Sequence, residues 1–279
     1  MILVRKILKS LMSYLVLIAL GVFVMAPFVW MVCVSLHESK TPIPPLSQIV
    51  PKQPHWENFK TVLFMPDIPV FRFLVNSVVV TSAVVLGQLL ICSLAAYGFS
   101  RMTFKGRNAM FAAFILSLMF AGPVTQIPVY LLVRSLGWLD TYWALIMPGV
   151  SSAFNVFLLR QFFASVPEEL CEAARIDGAG DFRVYWKVIL PLSKASLATA
   201  GAFTFFAVWT DFFWPLLATN SMDMRTLEVG LSVFKNSYGA TNWPLQMTAA
   251  VIVMLPLLVV FLFSQRFFVR GILIGGVKG

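Results

Sequence analysis

With 279 residues, 59% of them hydrophobic and only 12% charged, the chain carries more apolar surface than a water-soluble globule of this length can hide, since ordinary soluble domains hold about 25% charged residues. Its 21 Lys and Arg outnumber its 12 Asp and Glu, but the positive charge lies between apolar runs, so neither a soluble enzyme nor a nucleic-acid binder is expected. Three scattered cysteines (Cys33, Cys92, Cys171) exclude a disulfide scaffold and give no metal-ligand spacing, and His37 and His55 are too few for a His-rich metal centre.

A membrane-crossing helix needs about 20 mostly apolar residues. Taken in chain order, the runs that meet this lie near 11–35, 71–97, 109–132, 142–160, 196–218 and 245–267. Backbone polar groups in lipid must be satisfied within the segment, and no alternating apolar/polar strands occur. The expected fold is therefore an all-α integral membrane protein with six transmembrane helices, one domain over residues 1–279. Arg5, Lys6 and Lys9 before the first run imitate a signal peptide. That run is longer than the usual signal core and no small-residue cleavage site follows, so an uncleaved anchor is expected.

Orientation follows from the loops, because Lys and Arg are retained on the cytoplasmic side. Fourteen of the 21 basic residues fall before the first span or after the second, fourth and sixth, and six fall on the other side. Both termini are then cytoplasmic, with an extracytoplasmic loop 36–70, a cytoplasmic loop 161–195 and a cytoplasmic tail 268–279. In loop 36–70, five prolines from Pro42 to Pro54 favour extended backbone. His55-Trp56-Glu57-Asn58-Phe59 then either seats an outer protein or packs over helix ends. Pro27, Pro123, Pro128, Pro148, Pro215 and Pro256 lie in or beside the spans, where each removes a backbone donor. Irregular helices lining a pathway fit that number better than a passive anchor.

Loop 161–195 has the most structured chemistry outside the membrane. Ser165 with Glu168 offers a capping box and Pro167 suits a first helical turn. Gly178 predicts a left-handed break, Asp181 can cap a second helix, and Phe182, Tyr185, Trp186 and Ile189 form its apolar stripe up to Pro191. Such an element is either a knob for another protein's groove or an interfacial hairpin packed on its own bundle. Within the spans, Asp211, Asn76 and Asn155, with Gln88, either line a pathway or make interhelical hydrogen bonds. The chain has no G-x-x-x-x-G-K-[ST] phosphate loop, so any ATP-derived energy must come from another polypeptide.

The segment EAARIDGAG at 172–180, with Ile189-Leu190-Pro191 after it, resembles the EAA loop of ABC-importer permeases. Within these, the chain is similar to the carbohydrate-uptake group and its maltose-type G subunits. The likeness extends through Asn76-Ser77, Ala95 to Arg101, Gln126 to Tyr130, Phe157 to Phe163, Asp211 to Pro215 and the tail from Val269 to Gly279. The resemblance implies a type I ABC-importer permease fold in a bacterial inner membrane. It implies docking of Glu172, Ala173, Ala174, Asp177, Gly178 and Ala179 into a cytoplasmic ABC ATPase dimer, and a tail contact through Gly275, Gly276, Val277 and Lys278. It further implies a second, different permease chain and an extracytoplasmic sugar-binding protein. No cofactor is expected on this chain; ATP and Mg would sit on the ATPase. Cys171 and the apolar Ile272-Leu273-Ile274 depart from the pattern. The alternatives are an ATP-independent secondary transporter or channel, for which no clear internal repeat is visible, and a membrane enzyme, for which no H-E-x-x-H or G-x-S-x-G motif occurs.

Overall fold

A computed structural model of the chain describes residues 2–39, 42–120, 122–238 and 242–275, and among these no strand occurs. Two compact units can be traced, Met1–Val70 with Leu231–Leu255, and Phe71–Gly230 with Pro256–Gly279.

In the first unit, α1 (Ile2–Ser35) contains the apolar stretch Ser10–Ser35. Leu17, Ile18 and Phe23 stand outward, as side chains of a lipid-facing helix do. The last carbonyls of a helix lack intrahelical partners, and here side chains supply them. Asn58 of α2 (Glu57–Leu63) donates to Ser35 O at 2.8 Å and to His37 O at 2.8 Å, and Thr248 of α14 (Trp243–Gly275) donates to Ser35 O at 3.1 Å. The stretch Trp243–Phe267 of α14 is again long and apolar enough to span.

The second unit is built around α3 (Val70–Arg101), an unbroken spanning-length helix. The following helices are α4 (Arg107–Ser117), α5 (Gly122–Ser135), α6 (Tyr142–Ile146), α7 (Ala153–Ser165), α8 (Glu168–Ile176), α9 (Asp181–Val184), α10 (Leu190–Leu192), α11 (Lys194–Trp209), α12 (Phe213–Ala218) and α13 (Leu227–Tyr238). Residues 109–132 are divided between α4 and α5, neither of which alone has the length of a span. Residues 142–160 are a bent pair, Tyr142–Gly149 and Ala153–Ser165, at 42°. Pro148 sits in the 3₁₀ turn Met147–Gly149 that ends the first arm. In the stretch 196–218 the helix ends at Trp209 and restarts at Phe213.

Broken helices expose backbone groups, and α3 satisfies them. Gln88 donates to Gly149 O at 2.6 Å, and Cys92 Sγ lies 3.4 Å from Ser152 N and 3.6 Å from Ser152 O. The approach is close enough that a Cβ on Gly87 would stand 3.0 Å from Val150 Cγ1, and one on Gly149 3.1 Å from Val84 Cγ1. Asn155 then donates to Gln88 Oε1 at 2.5 Å and to Thr204 Oγ1 at 2.7 Å, so one polar node ties α3, α7 and α11. Gln88→Leu is expected to leave Gly149 O without its side-chain donor and Asn155 with Thr204 alone, and to cost about 1–3 kcal/mol. The measurement is the unfolding midpoint of the purified protein in detergent, with Val79→Ala on an exposed position as the unaffected control.

Asp140 performs a related task between α5 and α6. Its backbone is left-handed (φ 61°), which Asp tolerates. Its N–H donates to Ala218 O at 2.8 Å, and its Oδ1 accepts from Asn220 N at 2.9 Å and Ser221 N at 3.0 Å. Burial alone would raise this carboxyl, but the hydrogen bonds from Ser221 and Asn220 outweigh it and hold the group below its ordinary value. A carboxylate depressed in the native state stabilises above its unfolded value, and the contribution fades as pH falls through the native one. Asp140→Asn keeps the backbone conformation and is expected to cost about 1 kcal/mol at neutral pH, with less acid-side decline in unfolding midpoints followed to low pH.

Candidate functional site

The loop after α7 folds as a hairpin of two helical arms. Pro167 stands before α8 and holds it in register with an extended Val166 (φ −68°, ψ 131°). The capping box expected from Ser165 and Glu168 is not formed. Ser165 is the last residue of α7 and its hydroxyl donates to Phe162 O at 2.7 Å, while Glu168 is engaged by two arginines. At the tip, Gly178 is left-handed (φ 82°), with Ala179 N donating to Ala174 O at 2.9 Å and Gly178 N to Arg175 O at 3.0 Å. This pair of bonds is a Schellman motif, which satisfies carbonyls at the end of α8 and requires the αL residue that glycine supplies. Asp181 lies one residue inside α9, after Gly180, and its carboxylate meets Arg175 at 3.4 Å.

The second arm contains a π-helical turn, Tyr185–Ile189, directly before Pro191. A proline ring crowds the carbonyl four residues earlier and brings no N–H, and a widened turn accommodates it. The arm meets α11 at 79°. The expected apolar stripe is divided: Tyr185 and Ile189 are fully buried, whereas Phe182 and Trp186 are 72% and 53% exposed. Tyr185, Ile189, Val184 and Cys171 join Ala96, Tyr97, Leu159 and Phe163 in one core. Burial raises the Cys171 and Tyr185 acid groups, so the Cys171 thiol stays protonated and unreactive.

The residue that organises this region is Arg101, at the end of α3. Its side chain is only 5% exposed. The guanidinium donates to Phe163 O through Nε at 3.0 Å, again to Phe163 O and Val166 O through Nη2, and through Nη1 pairs with Glu168. Glu168 also takes Arg175 at 3.1 Å, and Arg175 reaches Asp181. Burial would lower the Arg175 pKa, but its bonds to Glu168 and the charge of Asp181 outweigh this and raise it. Tyr97 OH donates to Asp181 O at 3.0 Å, and Ser93 Oγ lies 2.8 Å from Tyr185 OH. A fork of planar donors thus closes the last turn of α7 and grips the first residue of α8. In sequence Arg101 is one basic residue among those that orient the chain; its burial is invisible there, because both carbonyl partners are backbone groups more than 60 positions away.

Of the loop residues singled out from sequence, Glu172, Ala173, Asp177 and Gly178 are exposed around the tip, while Ala174 and Ala179 are half-buried against the protein's own core. Asn76 is buried; its amide donates to Asp223 O at 2.8 Å and Arg225 O at 2.9 Å and its Oδ1 accepts from Tyr142 OH at 2.6 Å. The N–H groups of the Asn155 amide are spent on Gln88 and Thr204, while its Oδ1 is buried without a hydrogen-bond partner. Asp211 lies in the break between α11 and α12, its Oδ1 accepting from Phe213 N at 3.1 Å and Trp214 N at 3.3 Å. It borders a cavity of about 250 Å³ with Thr125, Gln126, Pro148 and Trp214. Gln126 Oε1 is shielded there without a hydrogen-bond partner; in sequence Gln126 stands out only as part of the stretch to Tyr130, because residue type does not reveal which amide is left unpaired. Gly275 is the last residue of α14; Gly276, Val277 and Lys278 lie outside the described residues. Among the described residues no group of three His, Cys, Asp or Glu side chains is placed to hold a metal.

A chain with long apolar helices, others broken beside a cavity that holds polar side chains, and an exposed helical hairpin has the architecture of a membrane transport permease. A family model, the binding-protein-dependent transport system inner membrane component, matches residues 2–274, and the chain belongs to this family. The sn-glycerol-3-phosphate transport system permease protein UgpE of Brucella abortus is 35% identical over 272 residues, 95% of this chain and 96% of that one. The arabinooligosaccharides transport system permease protein AraQ of Halalkalibacterium halodurans is 35% identical over 204 residues, 73% of each chain. A chain in the crystal structure of a bacterial ABC transporter involved in the import of the acidic polysaccharide alginate shares the fold, with a TM-score of 0.81 at 22% identity over 95% of this chain and 98% of that one. The protein is an inner-membrane permease subunit of an ABC importer, not an enzyme, and hydrolysis of ATP belongs to a separate subunit.

Arg101→Lys retains the charge but not the fork, so Phe163 O and Val166 O lose donors. The expected cost is about 1–3 kcal/mol, read as faster amide hydrogen exchange across residues 163–184 while α14 is unchanged.

Proposed function

We propose that this chain forms half of an ATP-driven import path for a sugar or oligosaccharide, delivered by an extracytoplasmic binding protein. In this reading six spans, near the positions expected from hydropathy, place both termini in the cytoplasm, and a second, different permease supplies the other half. Glu172, Ala173, Asp177 and Gly178, with Ala174 and Ala179 behind them, seat the hairpin in a cleft of an ATPase that holds ATP and Mg. The tail 275–278 approaches the same ATPase dimer. The observation that carries the reading is the exposed hairpin tip on a base held by Arg101. A lever needs a free end and a stiff root. The substrate class is drawn from relatives that carry polyhydroxylated solutes, among them arabinooligosaccharides and sn-glycerol-3-phosphate.

Asp211 and Gln126 are our choice of lining residues, because both border the cavity, whereas Asn76 and Asn155 are not among its lining residues. A carboxylate oxygen and a free amide oxygen accept hydrogen bonds from sugar hydroxyls. An intramembrane acid commonly faces such a cavity.

Gly178→Pro forbids the left-handed turn, and Glu172→Ala removes an exposed charge from the tip. Each is expected to lower binding-protein-dependent uptake on the order of tenfold while the assembled importer continues to hydrolyse ATP. Reconstituted vesicles, assayed for uptake and phosphate release together, provide the measurement. Wild-type uptake in Gly178→Pro, or uptake by this chain without any ATPase, contradicts the proposal.

A further inference from the structure

The second arm of the hairpin presents three faces. Val184, Tyr185 and Ile189 enter the protein core. Phe182 and Trp186 project outward with their rings stacked at 15° and centroids 6.4 Å apart. Arg183 and Lys187, one residue further on, are both exposed and share the third face. Residues four apart lie on one side of a helix, so aromatic and basic pairs run side by side along the arm. Because the arm meets α11 at 79°, it crosses the direction of the spanning helix instead of continuing it.

From this geometry we infer that the 181–192 arm is a membrane-surface anchor. Phe182 and Trp186 enter the headgroup–acyl boundary of the cytoplasmic leaflet, and Arg183 and Lys187 bind anionic lipid headgroups. The inference rests on the cytoplasmic placement of the loop given under Proposed function. A helix lying in the interface buries Trp and Phe on one face and keeps Lys and Arg on the other, and indole rings favour the headgroup level. The two arms of the hairpin differ in sign. The exposed tip of the first offers Glu172 and Asp177 to a protein, whereas the second offers two cations beside two bare rings, which is the complement of an anionic lipid surface. Each such cation is worth about 1 kcal/mol near that surface. The lipid contact would guide the lever: the hairpin moves with the ATPase as one piece while its second arm stays in the plane of the bilayer.

The test uses the assembled importer in vesicles, with nitroxide labels at Phe182→Cys, Trp186→Cys or Glu172→Cys in a Cys33→Ser background, Cys92 and Cys171 being buried. Accessibility to oxygen, which concentrates in lipid, is compared with that to a water-soluble nickel chelate. At 182 and 186 oxygen is expected to dominate in vesicles containing phosphatidylglycerol, with or without the ATPase. Arg183→Gln with Lys187→Gln is expected to weaken that preference about thirtyfold, since two cations at about 1 kcal/mol each correspond to this factor. In unlabelled protein the same double variant should lose any uptake advantage of phosphatidylglycerol over phosphatidylcholine vesicles. Free access of the chelate at both sites, or protection from both reagents, overturns the inference. So does protection that appears only when the ATPase is added, which would make the face part of the ATPase contact. The label at 172 reports ATPase docking independently, so failure of the anchor is distinguishable from failure of the coupling assignment.

Discussion

The guanidinium of Arg101 is the constraint on which the hairpin of this protein depends. A helix that ends inside a protein leaves carbonyls without partners, and α7 ends where the chain must turn sharply into the hairpin. Arg101 reaches from α3 to fill that deficit and simultaneously pairs with Glu168. Removing the arginine from water is costly unless its donors are used; here two carbonyls and a carboxylate take four of the five N–H groups. The result is a joint between two spanning elements and the loop that projects from them, made by one side chain that cannot lose its charge.

Above this joint the same logic recurs with neutral groups. Pro148 and Gly149 lie in the break at 147–152 and Pro215 follows the break at 210–212, and each break must be supplied with donors or acceptors where water is scarce. Gln88 and Cys92 serve the first break, and Asp211 caps α12 after the second. Irregular helices are therefore compatible with a defined structure because α3 stays regular beside them. The broken segments also border the cavity that holds Asp211 and Gln126.

Much of this was legible in the residues. The long apolar helices at 10–35, 70–101 and 243–267 follow from hydropathy alone, and the turn at Gly178 follows from glycine's access to a left-handed conformation. Other expectations met competing local physics. Ser165 was read as a cap for α8, but the extended Val166–Pro167 pair separates it from that helix and its hydroxyl returns to its own. Phe182, Tyr185, Trp186 and Ile189 read as one stripe, yet the π turn before Pro191 and the width of the core admit only two of them. The partners of Gln88, Asn155 and Arg101 are distant in sequence, and side-chain type says nothing of which backbone carbonyl will need a donor.

A rigid joint at Arg101 implies that the hairpin and the end of α3 move as one body when the importer turns over. It is tested most directly by the distance between spin labels at Ile176, on the tip of the hairpin, and Lys105, just beyond α3, both exposed, in the assembled importer without nucleotide and trapped with ATP. The account predicts one distance distribution, unchanged between the two states, and broadening when Arg101 is replaced. A distance that shifts by several ångströms on ATP binding in the wild type would mean that the hairpin swings on a free hinge, and the lever as described here would be wrong.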